Sequence, residues 1–347
     1  MTSQGGDDFR LTVLNPKGRD PEQEFRELPA PGEGAHPPIN FHAFAACTQG
    51  AFHHDTRRAI AEKTPVLLLL RGDFRASERA LADLKKHGCT VVVSLKETGL
   101  HQIAQQLCDY GRLSRFMKIV AQADGCIATT PEAMEIYQSS RWSLRRVAFI
   151  PTPYPVEDQR WNFCVRPDEQ SGIYVGTREW DVPSRNHFVA LLVARQLCEA
   201  TAEPVTVVNL DGNRARRLLA ELKLPDEKLR VIERRKPYPD YLRDVARHKI
   251  VLQLDRSHVP GQVAGDALLC RIPCVGGDGA IDRIAFSKTC GEGRTITEIA
   301  SMALDLVKNA DLRGAIVAES EQRALEQLSF QAARSQLAKF FAQFAHG

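Results

Sequence analysis

The sequence has no long hydrophobic run. Runs such as the VLLLL that follows Pro65 are far too short to cross a bilayer, and the opening MTSQGGDDFR has no apolar signal core. A cytoplasmic protein without an integral membrane segment is the expectation. Strong charge is missing as well. A formal net charge of +3 over 347 residues, with Lys and Arg spread along the chain, does not imply a nucleic-acid partner and leaves an anionic small ligand open. No C-x-x-C pair occurs. The nine cysteines are odd in number and sit mostly in apolar segments, which favours reduced structural thiols over a disulfide framework or a zinc site. No sequence repeat links the two halves of the chain.

What is present is a composition of 43% hydrophobic and 26% charged residues, ample for two α/β domains. A short first strand, RLTVLN, leads into residues 16–38, whose Pro, Gly and charge read as an irregular arm. From Pro38 onward β-rich runs (INFHAFA, PVLLLLR, TVVVSL, GCIATT, RVAFIP) alternate with amphipathic ones such as ASERALADLKKHG. That helix has a Ser near its start, lysines in its last turn and a closing Gly. Strand and helix repeated at this pitch predict a doubly wound parallel sheet. Prolines from Ile150 onward mark an interdomain linker, after which the alternation restarts with GIYVGT, VTVVNL, LRVIER, IVLQLD and IPCVGG. The expected organisation is an N-terminal strand and arm over 1–38, a Rossmann-like domain over 39–155, and a linker over 156–170. A second Rossmann-like domain over 171–320 and a C-terminal helix over 321–347 that packs back towards the first domain complete it.

In open parallel sheets ligands bind beyond the carboxyl ends of the strands, and two facing domains form a cleft there. That selects His42, Arg71, Lys96 and Glu97, Thr129 and Thr130, Gly176 to Arg178, Asp211 and Gly212, and the loop from Asp255 to Gly261. The last loop opens HVPGQVAGDALLCRIPCVGG, a short apolar helix bracketed by Pro and Gly. A glycine corner lets backbone approach a ligand, and the helix start offers N–H groups to a phosphate.

These residues resemble the donor-binding half of GT-B glycosyltransferases that use nucleotide sugars. In that family a glutamate, seven residues and a second glutamate precede an AMACGTPVV run, and GDALLCRIPCV is similar to it: Asp266 falls on the second glutamate, Cys270 on the cysteine, Pro273 on the proline. ADGCIATTPEAMEIYQSS and RVAFIPTPYP resemble the end of the family's first domain. The likeness spans most of residues 120–320. It implies that Asp266 holds the ribose, that Gly261 with Gln262 meets the phosphates, and that Arg178 and Arg185 in GTREWDVPSRNHF neutralise the diphosphate. His258 stands where the first glutamate would meet the donor sugar, which changes the sugar contacts. His42, with His53 and His54 behind it, is the positional match for a histidine beside the transferred sugar, and Gly50 is a second phosphate contact in the TQGAF loop. Glu97, between Lys96 and His101, suits an acceptor hydroxyl.

No D-x-D in a metal-binding context occurs, so a metal-independent site with no cofactor beyond the donor is expected. The implied function is transfer of a sugar from a nucleotide diphosphate sugar to a hydroxyl acceptor, whether a glycan, a lipid-linked sugar or a small molecule. A peripheral membrane acceptor stays open, although no strongly basic amphipathic helix supports one. Two alternatives also stay open: a nucleotide-sugar epimerase or hydrolase, and a non-catalytic nucleotide-sugar or glycan-binding protein. Each candidate has a plainer reading too. Asp266 suits a helix start, His42 a core histidine bonded to backbone, and Lys96 with Glu97 a surface pair. RVIERRKPYPDYLRD reads as a solvated turn and helix start, with Arg234, Arg235 or Tyr238 as flanks for a base.

Overall fold

The computed structural model describes residues 9–141, 146–177, 180–210 and 212–344. They fall into two compact units, one formed by the chain up to Glu157 together with the segment from Gln327 onward, the other by Asp158–Glu326.

The first unit is built on β1 (Thr12–Leu14), β2 (Gln23–Glu24), β3 (Ala51–His53), β4 (Val66–Leu70), β5 (Val91–Leu95), β6 (Gly125–Ala128) and β7 (Val147–Phe149). These form one sheet in the order β2-β3-β1-β4-β5-β6-β7, parallel except at the β2 edge. Alternate residues of the same strands face opposite ways, yet both sets are apolar. Val66, Leu68, Leu70, Val91 and Val93 enter one core with the helices Arg75–Lys86, Tyr110–Gln122 and Pro131–Arg141. Leu67, Leu69 and Val92 enter a second core with the helices Asn40–Cys47 and Phe330–Phe341. Burial on both faces is why these strands read as continuous apolar runs.

INFHAFA is not the expected strand. Asn40–Cys47 is a helix, buried from Phe41 to Cys47, and the strand of this region is β3, read above as part of a loop. Three alanines favour the helix, and an element buried all round carries no alternation to reveal its period. The arm is not irregular throughout either, because it supplies β2 and crosses the carboxyl edge of the sheet. There the Arg71 guanidinium donates to the Lys17 carbonyl (3.1 Å), Lys96 pairs with Asp20 (3.4 Å) and Arg58 with Glu22 (2.8 Å).

The second unit carries β8 (Ile173–Val175), β9 (Val205–Val208), β10 (Leu229–Ile232), β11 (Ile250–Leu252) and β12 (Cys274–Val275), all parallel, in the order β10-β9-β8-β11-β12. Strand order reverses between β8 and β11, which makes the loops after these two strands the natural ligand crevice. Of the expected linker, the part from Asp158 onward is built into this unit, with Trp161 buried and the Phe163 N–H donating to the Leu269 carbonyl (2.8 Å). Among the described residues no helix is long and apolar enough to cross a membrane. All nine cysteines are free thiols.

Gly50 lies at the amino edge of β3, away from the strand ends where ligands bind, and this overturns its expected phosphate contact. A Cβ there would press into the backbone of Leu11, meeting its carbonyl carbon at 2.8 Å. Gly50→Ala is expected to lower the free energy of unfolding by about 2–3 kcal/mol through overpacking, read by chemical denaturation.

Candidate functional site

The crevice of the second unit is formed by two loops fastened to each other. After β8 the chain makes a short turn, Pro183–Arg185, and enters the helix His187–Thr201. The Ser184 carbonyl accepts from the Arg256 N–H (2.7 Å), the Ser184 and Ser257 hydroxyls bond at 2.7 Å, and Asn186 donates to the Leu254 carbonyl (3.0 Å). Arg185 forms an ion pair with buried Asp255 in the loop after β11. That arginine, expected on the diphosphate, therefore already shares its charge with an acid of the same crevice. Arg178 and Asp211 lie outside the described residues.

The β11 loop is shaped by acids beneath it. Asp255 accepts from the Ser257 N–H (2.8 Å), and Asp278 accepts from the His258 N–H (3.2 Å). His258 has a left-handed backbone (φ 48°), and its Nε2 stands 3.6 Å from Asp278 Oδ2. The amides of Ser257 and His258 are thus held by carboxylates. A phosphate would meet the next corner, where Gly261 (φ 95°) starts the helix Gln262–Cys270.

Asp282 sits under that corner. A Cβ at Gly261 would come within 3.0 Å of its Oδ2, one at Gly279 within 2.7 Å, and one at Gly277 would collide with its Oδ1. Gln253 donates to Oδ1 at 2.8 Å. Burial, with Asp255 and Asp278 adding like charge, pushes the Asp282 carboxyl up to about 7. Burial likewise raises Asp278, while His258 acts the other way. Sequence reasoning missed Asp278 and Asp282. The glycine-wrapped acids of GGDGAID were their signal.

Beside the crevice, at the carboxyl ends of β8, β9 and β10, a cavity of about 590 Å³ opens. Trp180, Tyr238 and Tyr241 supply aromatic walls, Val208 and Ile232 an apolar floor, and Gln262 connects the cavity to the glycine corner. Arg234, Arg235 and Lys236 stand at its rim, with Lys236 paired to Asp244. The tract read as a solvated turn is therefore a wall. Flat aromatic faces with cations nearby suit a planar, anion-bearing ligand. Asp266, 1% exposed, lies one turn beyond Gln262 and accepts a hydrogen bond from the Tyr238 hydroxyl (2.6 Å).

In the first unit the strand-end candidates are occupied differently. His42 is 2% exposed, its Nε2 bonded to the Pro21 carbonyl of the arm (2.8 Å), its ring stacked on His36 (3.9 Å) and Phe52 (3.7 Å). Burial pushes it down to about 3, so it is a neutral packing group. The structure corrects its expected place beside a sugar: the arm covers it. His53 bonds Glu62 (2.9 Å), and both ring nitrogens of His54 bond arm carbonyls, at Asn15 and Asp20. Glu97 is exposed on the loop after β5 and accepts from Gln102 (3.3 Å).

No protein-family model matches the chain, and no curated protein matches it by sequence. Solved structures do match in shape. HepE of Anabaena, in complex with UDP and glucose, aligns with a TM-score of 0.65 at 12% identity, over 96% of this chain and 100% of its own. A glycosyltransferase from Rickettsia africae aligns at 0.58 and 12% identity, over 84% and 80%. The fold is GT-B. A Listeria monocytogenes protein assigned as a UDP-N-acetylglucosamine 2-epimerase aligns at 0.50 and 16% identity, over 84% and 76%. In the GT-B frame, the second unit joins Arg185, His258, Gly261, Gln262 and Asp266 around one crevice and its cavity.

Asp282 ionises near pH 7 in the folded chain against an ordinary value near 3.8. Between these values the folded state holds the extra proton, so its contribution to stability is present at low pH and is lost as pH rises through about 7. Asp282→Asn is expected to unfold at a higher temperature than the wild type near pH 8, the difference shrinking towards about pH 4, as measured by thermal melts across that range.

Proposed function

We propose that the protein transfers a glycosyl group from a nucleotide diphosphate sugar to a hydroxyl acceptor. The observation that carries this reading is the aromatic cavity of the second unit, joined through Gln262 to the glycine-cornered helix Gln262–Cys270 and the Tyr238–Asp266 pair. A nucleoside fills the cavity with its base against Trp180 and Tyr241 and its ribose on the Asp266 side. The diphosphate lies at the Gly261 corner, met by the first amides of the helix and by Arg185, with Arg178 as the second cation that the resemblance implies. The anomeric carbon exchanges its bond to the diphosphate oxygen for one to the acceptor oxygen, and the acceptor proton is taken up by a base or by the departing diphosphate. Glu97 is the acceptor-side base in this reading, and His258 faces the sugar. Arginine and helix dipole stabilise the leaving group without a metal. That HepE of Anabaena is seen with UDP and glucose supports the donor class.

A second reading, epimerisation, is favoured by the Listeria neighbour and by His258 beside Asp278, a base and an acid at the sugar position. It consumes donor with no acceptor present.

Nucleoside diphosphates and their sugars, screened by thermal shift, are expected to include one that stabilises the protein and whose effect Asp266→Ala abolishes; a flat response across the screen at millimolar concentration overturns the donor reading. With the donor so found, turnover that requires an acceptor and is unchanged by EDTA supports metal-independent transfer. Acceptor-free isomerisation supports the epimerase instead. Glu97→Gln is expected to lower kcat by about 100-fold or more, with donor affinity unchanged.

A further inference from the structure

We propose that the helix Tyr110–Gln122 of the first unit is a docking surface for an anionic lipid membrane, with Tyr110, Leu113 and Met117 entering the headgroup layer and the cations beside them meeting lipid phosphates. The proposal concerns a different face of the chain from the donor crevice and requires no nucleotide.

The helix packs on the first unit through Phe116, Ile119 and Val120, all buried in the core it shares with β4 and β5. Three more of its large apolar residues do not follow them inward. Tyr110 is 86% exposed, Leu113 38% and Met117 40%. They recur at i, i+3 and i+7, so they form a second apolar stripe beside the buried one. Single exposed apolar side chains are ordinary on a protein surface. Three in line on one helix mark a face made for contact.

Charge says what the contact is. The helix carries Arg112, Arg115 and Lys118 and no acid. Alongside lies the helix Arg75–Lys86, tied to it where Glu78 pairs with Arg115 (3.2 Å) and Lys118 (2.7 Å). Together the two helices hold seven cations against two acids, so the apolar stripe sits in a positive surround. A tyrosine heading aliphatic side chains, with Arg and Lys next to them, is the composition that settles in the headgroup region of an anionic bilayer. A stable protein interface takes about 20–30 residues a side, far more than this stripe offers. Three cations in thirteen residues do not make the helix strongly basic in sequence; its second stripe is visible only once the fold has buried the first.

The position of the stripe adds a use for it. The Arg115 guanidinium donates to the Asp73 carbonyl (2.7 Å) in the turn after β4, and the other end of the helix leads into the start of β6. Tyr110 therefore stands towards the carboxyl edge of the sheet, the edge that carries Glu97. On the transfer reading, a first unit docked through this helix brings that edge to a hydroxyl acceptor anchored in the bilayer.

The test is co-sedimentation of the full chain with vesicles of phosphatidylcholine alone and of phosphatidylcholine mixed with phosphatidylglycerol, at low and high salt. Wild type is compared with Tyr110→Ser, with the triple change Tyr110→Ser, Leu113→Ser and Met117→Ser, and with the double change Arg112→Gln and Lys118→Gln. All five positions are exposed, and thermal melts are expected to match the wild type. The wild type is expected to bind the mixed vesicles about tenfold tighter than phosphatidylcholine alone, and salt is expected to weaken that binding. The triple change is expected to lower binding to mixed vesicles about tenfold, Tyr110→Ser alone about threefold, and the double change to remove the preference for phosphatidylglycerol. Tyr110→Ser keeps the test decisive if the triple change fails to fold. Absence of wild-type binding to either vesicle at millimolar lipid overturns the proposal. So does binding that the serine variants leave unchanged, which assigns it to charge elsewhere. A lipid-free dimer in sedimentation velocity that the serine variants abolish also overturns it, since a second copy then covers the face. None of these outcomes bears on the nucleotide screen, which tests the donor reading by itself.

Discussion

The carboxylate of Asp282, closed over by glycines, is the constraint on which the second unit's crevice depends. Gly261, Gly277 and Gly279 pass so near it that a single added carbon at any of them would touch it, and Gln253 holds it from below. The corner that begins the helix Gln262–Cys270 thus has its place set from beneath, by a buried acid. Around it Asp255 and Asp278 fix the amides of Ser257 and His258, and Asp255 ties in Arg185 from the neighbouring loop. Burial, together with the repulsion among three acids gathered in so small a volume, raises Asp282 and makes the region costly to build. Strain of that kind persists where geometry matters more than stability.

The first unit solves a different problem. Its carboxyl edge is crossed by residues 15–24, and the histidines beneath are satisfied by arm carbonyls: His42 by Pro21, His54 by Asn15 and Asp20. At His42 a neutral imidazole serves as a flat, apolar-faced group with a polar end, suited to joining a core to a stretch of backbone that has few strand partners of its own. The same arm draws in Arg71 and Lys96 from the ends of β4 and β5, so the cations at this edge already face backbone oxygen or a carboxylate.

The sheets were legible because parallel strands buried on both faces read as uninterrupted apolar runs, and VLLLL and VVVSL could be little else. The same reasoning failed at INFHAFA, where an all-buried helix and a buried strand look alike over seven residues. The glycine corner at Gly261 and the acid at Asp266 stood out by spacing and by resemblance. The cavity wall did not: RRKPYPDY is polar because an open cavity is wet on one side, so Tyr238 looks like a surface residue until the fold brings Asp266 to it across 28 positions. His42 misled for the reverse reason. What buries it is Pro21, in a stretch whose composition suggests no order.

One consequence of the connectivity concerns biosynthesis. The first unit's second core needs Phe330, Leu337, Phe340 and Phe341, which lie beyond the whole of the second unit in the chain. On the ribosome, the segment up to Glu157 emerges first yet must wait, with Phe41 and Phe44 uncovered, while the stretch from Asp158 to Glu326 is made. The usual amino-to-carboxyl order of domain folding is inverted, since the later unit is contiguous and can close at once. During that interval the exposed apolar face is a target for chaperones, and nascent chains stalled before Phe330 are the ones most prone to aggregate.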